Sequence, residues 1–299
     1  MYLTGFADEA SQDLETQIEV TKSLGWNAIE SRNIWDTNIH DLSEEDFEKA
    51  CEMLSEARIY INCFGSAICN WARDVDDDWN ITLGQIKRAI PRMKKLGTKL
   101  VRIMSFKRYE NGDQKAQKRF RLLREVNDLF TSEGLLPVHE NCMNYGGLSW
   151  KHTLEMIDNV PGLRLVYDTG NPVYNKDWSK DSDVWQDSWE FYQNVKEHIS
   201  YIHVKDGLNP LPGQKEVYTY PGEGVGFTWE IMKDLKESGY DGGISIEPHM
   251  AAVFHDADAG SNENGVEIYE EYGWRLMNFF TKIGYNWQLY TPEIEQVSV

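Results

Sequence analysis

Gly134-Leu135-Leu136-Pro137-Val138-His139-Glu140 is followed, 28 residues on, by Gly162-Leu163-Arg164-Leu165-Val166-Tyr167-Asp168. Each stretch is a glycine, a short and mostly apolar run, and then a carboxylate. Runs this short suit strands buried on both faces of a parallel sheet. A glycine ahead of each suits the helix end or turn that feeds the strand. The interval matches one βα unit of roughly 30 residues.

The same order repeats along the chain. Strands are expected at Tyr2 to Phe6, Asn27 to Ser31, Tyr60 to Phe64, Lys99 to Met104, Leu135 to Glu140, Leu163 to Asp168, Tyr201 to Val204 and Gly243 to Glu247. Helical runs lie between them. Leu83, Ile86, Ile90 and Met93 place one apolar stripe on a helix, as do Trp185, Trp189, Tyr192, Val195 and Ile199, and Ile268, Tyr272, Leu276 and Phe279. Gly25, Gly97, Gly134, Gly162 and Gly239 each precede a strand, and Gly284 ends the last helix. Eight βα units predict an α/β fold, a single (β/α)8 TIM barrel over residues 1–285 with a short C-terminal tail, 286–299. An open doubly wound sheet is the runner-up, but no G-x-G-x-x-G follows the first strand. The tail, with Trp287, Leu289, Tyr290 and Pro292, packs either on the barrel or on a partner subunit, which leaves a homo-oligomer open.

Composition narrows the partners. The 299 residues carry a net charge of −19, which repels phosphate backbones and anionic membranes. Neither a nucleic acid nor a membrane is expected as a partner. Cys51, Cys63, Cys69 and Cys142 form no C-x-x-C pair, and reduced thiols in a cytoplasmic setting are expected. The N-terminus has no basic region and no signal-peptide pattern, and no apolar run reaches membrane-span length.

Four consecutive strands end in metal-ligand residue types: Glu140, Asp168, His203 and Glu247, at intervals of 28, 35 and 44 residues. One βα unit per interval places them around one rim. A charge at the end of an apolar strand is costly unless paired or bound to a metal. Three carboxylates and one imidazole predict one divalent ion, Mn2+ first, with Mg2+, Co2+ or Zn2+ as alternatives. The competing view pairs each acid with a nearby Lys or Arg.

The chain resembles the xylose isomerase-like barrel superfamily of sugar isomerases, ketose 3-epimerases, inosose dehydratases and sugar phosphate isomerase/epimerase proteins. The likeness rests on His139-Glu140-Asn141, Tyr167-Asp168-Thr169-Gly170-Asn171, His203-Val204-Lys205-Asp206, Gly222-Glu223-Gly224 and Glu247-Pro248-His249, and spans about the first 285 residues. It implies metal ligation by Glu140, Asp168, His203 and Glu247, with Glu140 and Glu247 as the catalytic pair that moves the proton beside a carbonyl. Many epimerases carry a substrate-contacting histidine three residues after the metal aspartate. Here that position is Asn171, which hydrogen-bonds a hydroxyl but carries no proton at neutral pH.

Further substrate-binding candidates surround this set. Lys205 shares a strand face with His203, and either steadies an enediolate or pairs with Asp206 or another rim acid. His249 reaches either the pocket or a structural partner. Glu30 and Arg32 share a face, and a rim salt bridge between such groups is expected ahead of substrate contact. Trp35, Trp71 and Trp79 either stack on sugar or cover the barrel top. His139 faces away from Glu140 and is expected to be structural. Gly222-Glu223-Gly224 reads as a lid-loop turn rather than a phosphate site, since Glu223 opposes an anion. His255 is a further rim candidate, and the stretch Asp256 to Gly265 a further rim loop.

The expected function is a divalent-metal-dependent isomerase or epimerase acting on a small-molecule sugar or polyol by proton abstraction next to a carbonyl. The alternative is a metal-dependent lyase or dehydratase on a keto-sugar, keto-cyclitol or 3-oxo-glycoside. An endonuclease IV-like nuclease is disfavoured by the acidity and the few histidines, and a non-catalytic carbohydrate-binding barrel by the intact ligand set.

Overall fold

A computed structural model of the chain describes residues 1–180, 183–251 and 264–292. Eight parallel strands form one sheet: β1 (Tyr2–Gly5), β2 (Ala28–Ser31), β3 (Tyr60–Gly65), β4 (Leu100–Ile103), β5 (Leu136–Glu140), β6 (Arg164–Asp168), β7 (Ile199–Val204) and β8 (Gly243–Ile246). Each strand from β2 to β8 pairs with its neighbour in sequence, and β1 pairs with β8. The sheet is thus a nearly closed (β/α)8 barrel. No ladder joins β1 to β2. The seam there carries a buried hydrogen bond from the Thr4 hydroxyl to the Ala28 carbonyl, 2.9 Å long.

The helices between the strands are α1 (Leu14–Ser23), α2 (Glu44–Ala57), α3 (Trp79–Leu96), α4 (Ala116–Thr131), α5 (Trp150–Asn159), α6 (Ser188–Val195), α7 (Thr228–Glu237) and α8 (Gly265–Ile283). Asp13, Ser43, Asp78, Ser149 and Asp187 accept a backbone N–H at the start of their helices. No described helix is long and apolar enough to cross a membrane.

Two helical readings need correction. α6 excludes Trp185, which instead bridges Lys176, and Ile199 opens β7. Asp187 caps α6 and so fixes its start after Trp185. On α8 the buried stripe is Tyr269, Tyr272, Leu276, Met277 and Phe280, while Ile268 and Phe279 lie at its margins. His255 and most of Asp256 to Gly265 lie outside the described residues.

Two register shifts aim the rim. Between β2 and β3, Ile29 faces Ile61 but Glu30 faces Cys63. Between β6 and β7, Leu165 faces Ile199 but Val166 faces Tyr201, which brings Asp168 level with His203. Each extra residue re-aims the side chains after it.

The loop after β7 closes on Asp206. Its carboxylate accepts from the amides of Gly222 (2.8 Å) and Gly226 (2.9 Å) and from the Thr228 hydroxyl (3.0 Å) at the start of α7. A Cβ on Gly224 would lie 2.2 Å from Asp206 Oδ1, so only glycine fits there. Gly222-Glu223-Gly224 is therefore a turn wrapped around an internal anion. At the opposite face of the barrel, the tail lies across the strand starts. Tyr290 exchanges two hydrogen bonds with the Asn27 side chain, and its ring lies 4.8 Å from that of Tyr2.

Asp206→Asn should destabilise the fold by about 2 kcal/mol or more, because the amide turns a donor toward donors. Urea unfolding checks this, and an unchanged midpoint would show that the loop does not depend on the carboxylate.

Candidate metal centre

Glu140 ends β5, Asp168 ends β6, His203 is near the end of β7, and Glu247 follows β8. One ligand atom from each of the four lies within 4.8 Å of every other, and all four residues are buried. His203 Nδ1 is 3.5 Å from Glu247, 3.9 Å from Glu140 and 4.0 Å from Asp168. This nitrogen is buried without a hydrogen bond, and Asp168 Oδ2 has no partner but the Lys205 ammonium, 3.0 Å away. Asp168 Oδ1 is committed elsewhere, accepting from the amides of Gly170 and Asn171.

Three cations bind the same carboxylates. Arg102 Nη1 is 3.0 Å from Glu140 Oε2. Lys205 Nζ is 2.9 Å from Glu247 and 3.0 Å from Asp168. Arg32 Nη1 is 3.2 Å from Glu247 Oε1, while its other nitrogens hold Asp8 and Glu9. Both guanidiniums lie over the Phe6 ring, 4.4 and 5.4 Å from its centroid.

These neighbours set the proton affinities. Burial alone would raise the carboxyl of Glu140, but Arg102 and His203 together outweigh it and hold it at about 2. For Glu247, burial is likewise overcome, chiefly by Lys205, and the carboxyl falls well below its ordinary range. Burial raises Asp168 to about 7 against the pull of Lys205. His203 is opposed by burial, yet the carboxylates, Glu30 foremost, lift it well above its usual value. The cluster therefore attracts positive charge even with three cations at its edge. The unpartnered His203 Nδ1 and this charge fit a divalent cation held by three carboxylates and one imidazole. Glu9, Glu247 and His249 also bring ligand atoms together, but Arg32 contacts both glutamates and supplies the positive charge there.

A cavity of about 250 Å3 opens above the cluster. Its described lining includes Glu140 and Glu247 but not Asp168 or His203, so the two glutamates face the space. Arg32, Trp71, Asn171, Lys205 and His249 also line it. Asn171 donates to Glu140 Oε1 at 2.9 Å, and His249 Nδ1 lies 2.8 Å from Glu9.

Other candidates lie elsewhere. Trp35 is not among the described lining residues; its ring carries Lys49 Nζ, 4.6 Å from the centroid. Trp35 and Asp36 both stand at positive φ, and the ring is partly buried against the core. Trp79 donates to Glu125 at 2.9 Å. His139 meets Ser105 Oγ at 3.0 Å, and burial lowers it to about 4. Lys205 pairs with Asp168 and Glu247 rather than Asp206, whose carboxylate is filled by loop amides. Glu30 meets His203 instead of Arg32.

Sequence reasoning missed Arg102, although a lone arginine inside the run Leu100–Ile103 was a usable signal. It also missed Asn70, Met143, Glu216 and Tyr218, which line the cavity from loops.

A model of the xylose isomerase-like TIM barrel family matches residues 18–271. No curated protein matches the chain by sequence. Among solved structures, a probable 3-DHS dehydratase of Bacillus anthracis is 16% identical, with a TM-score of 0.68 over 93% of this chain and 99% of that one. A xylose isomerase-like TIM barrel protein of Mycobacterium smegmatis, in complex with magnesium, is 14% identical, with a TM-score of 0.68 over 94% and 96%. D-allulose 3-epimerase of Methylomonas sp., in complex with D-allulose, is 13% identical, with a TM-score of 0.65 over 93% and 96%. At such identities the likeness establishes the fold.

Treatment with chelator should lower the melting temperature, and Mn2+ should restore it, by about 2.7 kcal/mol at a hundredfold excess over Kd. Asp168→Asn should remove the response. An identical melting curve across the metal series would count against the centre.

Proposed function

Because the chain belongs to the xylose isomerase-like TIM barrel family, we propose that it is a divalent-metal-dependent isomerase or epimerase of a small sugar or polyol. The observation that carries this reading is the pair Glu140 and Glu247, which face one cavity from strands on either side of the His203–Asp168 floor. Glu140, Asp168, His203 and Glu247 would hold the ion. When bound, it would polarise a substrate carbonyl as a Lewis acid.

Glu140 and Glu247 act as the proton-transfer pair. One removes the proton on the carbon beside the carbonyl, and the other returns a proton to the opposite face for epimerisation, or to the neighbouring carbon for isomerisation. Arg102 and Lys205 hold the two carboxylates in the ionised form that a proton acceptor requires. Lys205 also lines the cavity and faces the negative charge that develops on the carbonyl oxygen. Asn171 fixes Glu140 through its amide. Arg32 fixes Glu247. Trp71 offers an apolar face to the sugar C–H surface.

A second reading is a lyase on a keto-sugar, keto-cyclitol or 3-oxo-glycoside, which shares the first proton abstraction. It is favoured by the Tyr218 hydroxyl, which donates to Glu216 at the cavity wall. A proton-bearing pair there suits protonation of a leaving group, a task epimerisation does not require.

Incubation of ketoses, keto-cyclitols and 3-oxo-glycosides in D2O, followed by NMR, tests both. Deuterium in an intact skeleton with moved or inverted oxygenation supports the isomerase or epimerase; loss of water or an aglycone supports the lyase. Glu247→Gln should slow exchange by about 10^2 to 10^4. Full turnover without exchange or an isotope effect at the expected carbon would end both readings.

Tyr218→Phe separates them further. It should leave exchange intact and slow only loss of a leaving group, by about 10^2. Equal effects on the two steps would remove the support that Tyr218 gives the lyase.

A further inference from the structure

Glu30 is a fully buried carboxylate beside the ligand cluster that pairs with no lysine or arginine among the described residues. Its oxygens lie 3.1 and 3.0 Å from His203 Nε2. His203 and Glu30 are both fully enclosed, so no water competes for this contact. The register shift after Ile29 sets Glu30 opposite Cys63, and the carboxylate points inward across the barrel to β7. Burying a carboxylate this way is costly unless the pairing serves a purpose that an apolar residue would not.

Resting on the reading of the four residues as a metal centre, we infer that Glu30 is the positioning residue that makes His203 a ligand through Nδ1. To ligate a metal the imidazole gives up its second proton, and with one proton left it has one donor nitrogen and one acceptor nitrogen. Glu30 takes the N–H of Nε2. The lone pair then rests on Nδ1, the nitrogen that faces Glu140, Asp168 and Glu247 and has no hydrogen-bond partner. The opposite tautomer would set an Nε2 lone pair against a carboxylate and an N–H into the ligand space. The buried negative charge also makes the imidazole a stronger donor, and partners of this kind are worth 10–100-fold in metal affinity.

Phe6 and Tyr201 complete the seat. Their rings meet His203 edge-on at 5.1 and 5.7 Å, so the imidazole is held about its plane while Glu30 selects its proton. Glu30 touches neither the cavity nor the other three ligands among the described contacts. Its effect therefore passes through His203.

The test is Mn2+ titration calorimetry on wild type, Glu30→Gln and Glu30→Asp, with the metal-free melting temperature of each as a fold control. Glu30→Gln should bind Mn2+ about 10- to 100-fold more weakly. Glu30→Asp should recover part of the loss. Unchanged affinity in folded Glu30→Gln would overturn the inference. Nitrogen-15 NMR of the wild type loaded with Zn2+ needs no variant: a protonated Nε2 is expected, and a protonated Nδ1 would overturn it. If the wild type binds no divalent ion, the metal-centre reading itself falls, and this inference with it.

Discussion

Three carboxylates that must sit within one small buried volume are the constraint around which this barrel is arranged. Like charges at such separations repel strongly in a medium poorer in water than the surface. The chain answers with Arg32, Arg102 and Lys205, each drawn from a different strand end and each buried beside the acids. Their long side chains cross the rim because strands β2, β4 and β7 put them on the inner face. Phe6 supports both guanidiniums, so one ring from β1's exit holds the partners of both cavity-facing glutamates. The cost of burying so much charge is met by pairing and not by exposure.

This arrangement gives each glutamate oxygen a task. Glu140 gives one oxygen to Arg102 and one to Asn171; Glu247 gives one to Arg32 and one to Lys205. A carboxylate held at both oxygens cannot rotate, which fixes the direction in which it faces the cavity. The asparagine at position 171 thus serves to fix the direction of the Glu140 carboxylate through its amide N–H.

Much of this was legible in the sequence because the signals were local. A carboxylate after an apolar strand is conspicuous, and three of them with one histidine on four successive strands at βα spacing locate a rim without reference to any neighbour. The eight strands were equally clear, since a short apolar run bounded by glycine leaves few alternatives. What escaped was set by contacts across the barrel. Arg102 looks like a residue of the outer face until Glu140 is placed beside it. Lys205 and Asp206 are neighbours in sequence yet point to opposite partners, which strand alternation permits but does not assign. Glu216 and Tyr218 reach the cavity through the short ribbon Gly207–Leu208 and Val217–Tyr218, whose register depends on Asp206 holding the loop. Trp35 and Asp36 both stand at positive φ, a backbone turn that the sequence there does not announce.

The division of the ion pairs along the chain also bears on the order of assembly. Arg32 and Arg102 come from the first half of the barrel, while Glu140, Asp168, His203 and Glu247 come from the second. During synthesis Arg32 emerges after Asp8 and Glu9 but long before Glu247, and Arg102 before Glu140. The Arg32–Glu247 contact joins residues separated by 215 positions, and the ladder between β1 and β8 spans a similar distance. Such non-local closure comes late in folding. Until the last strand docks, Arg32 holds Asp8 and Glu9 but not Glu247, so closure of the ring and completion of this four-residue ion network are one event.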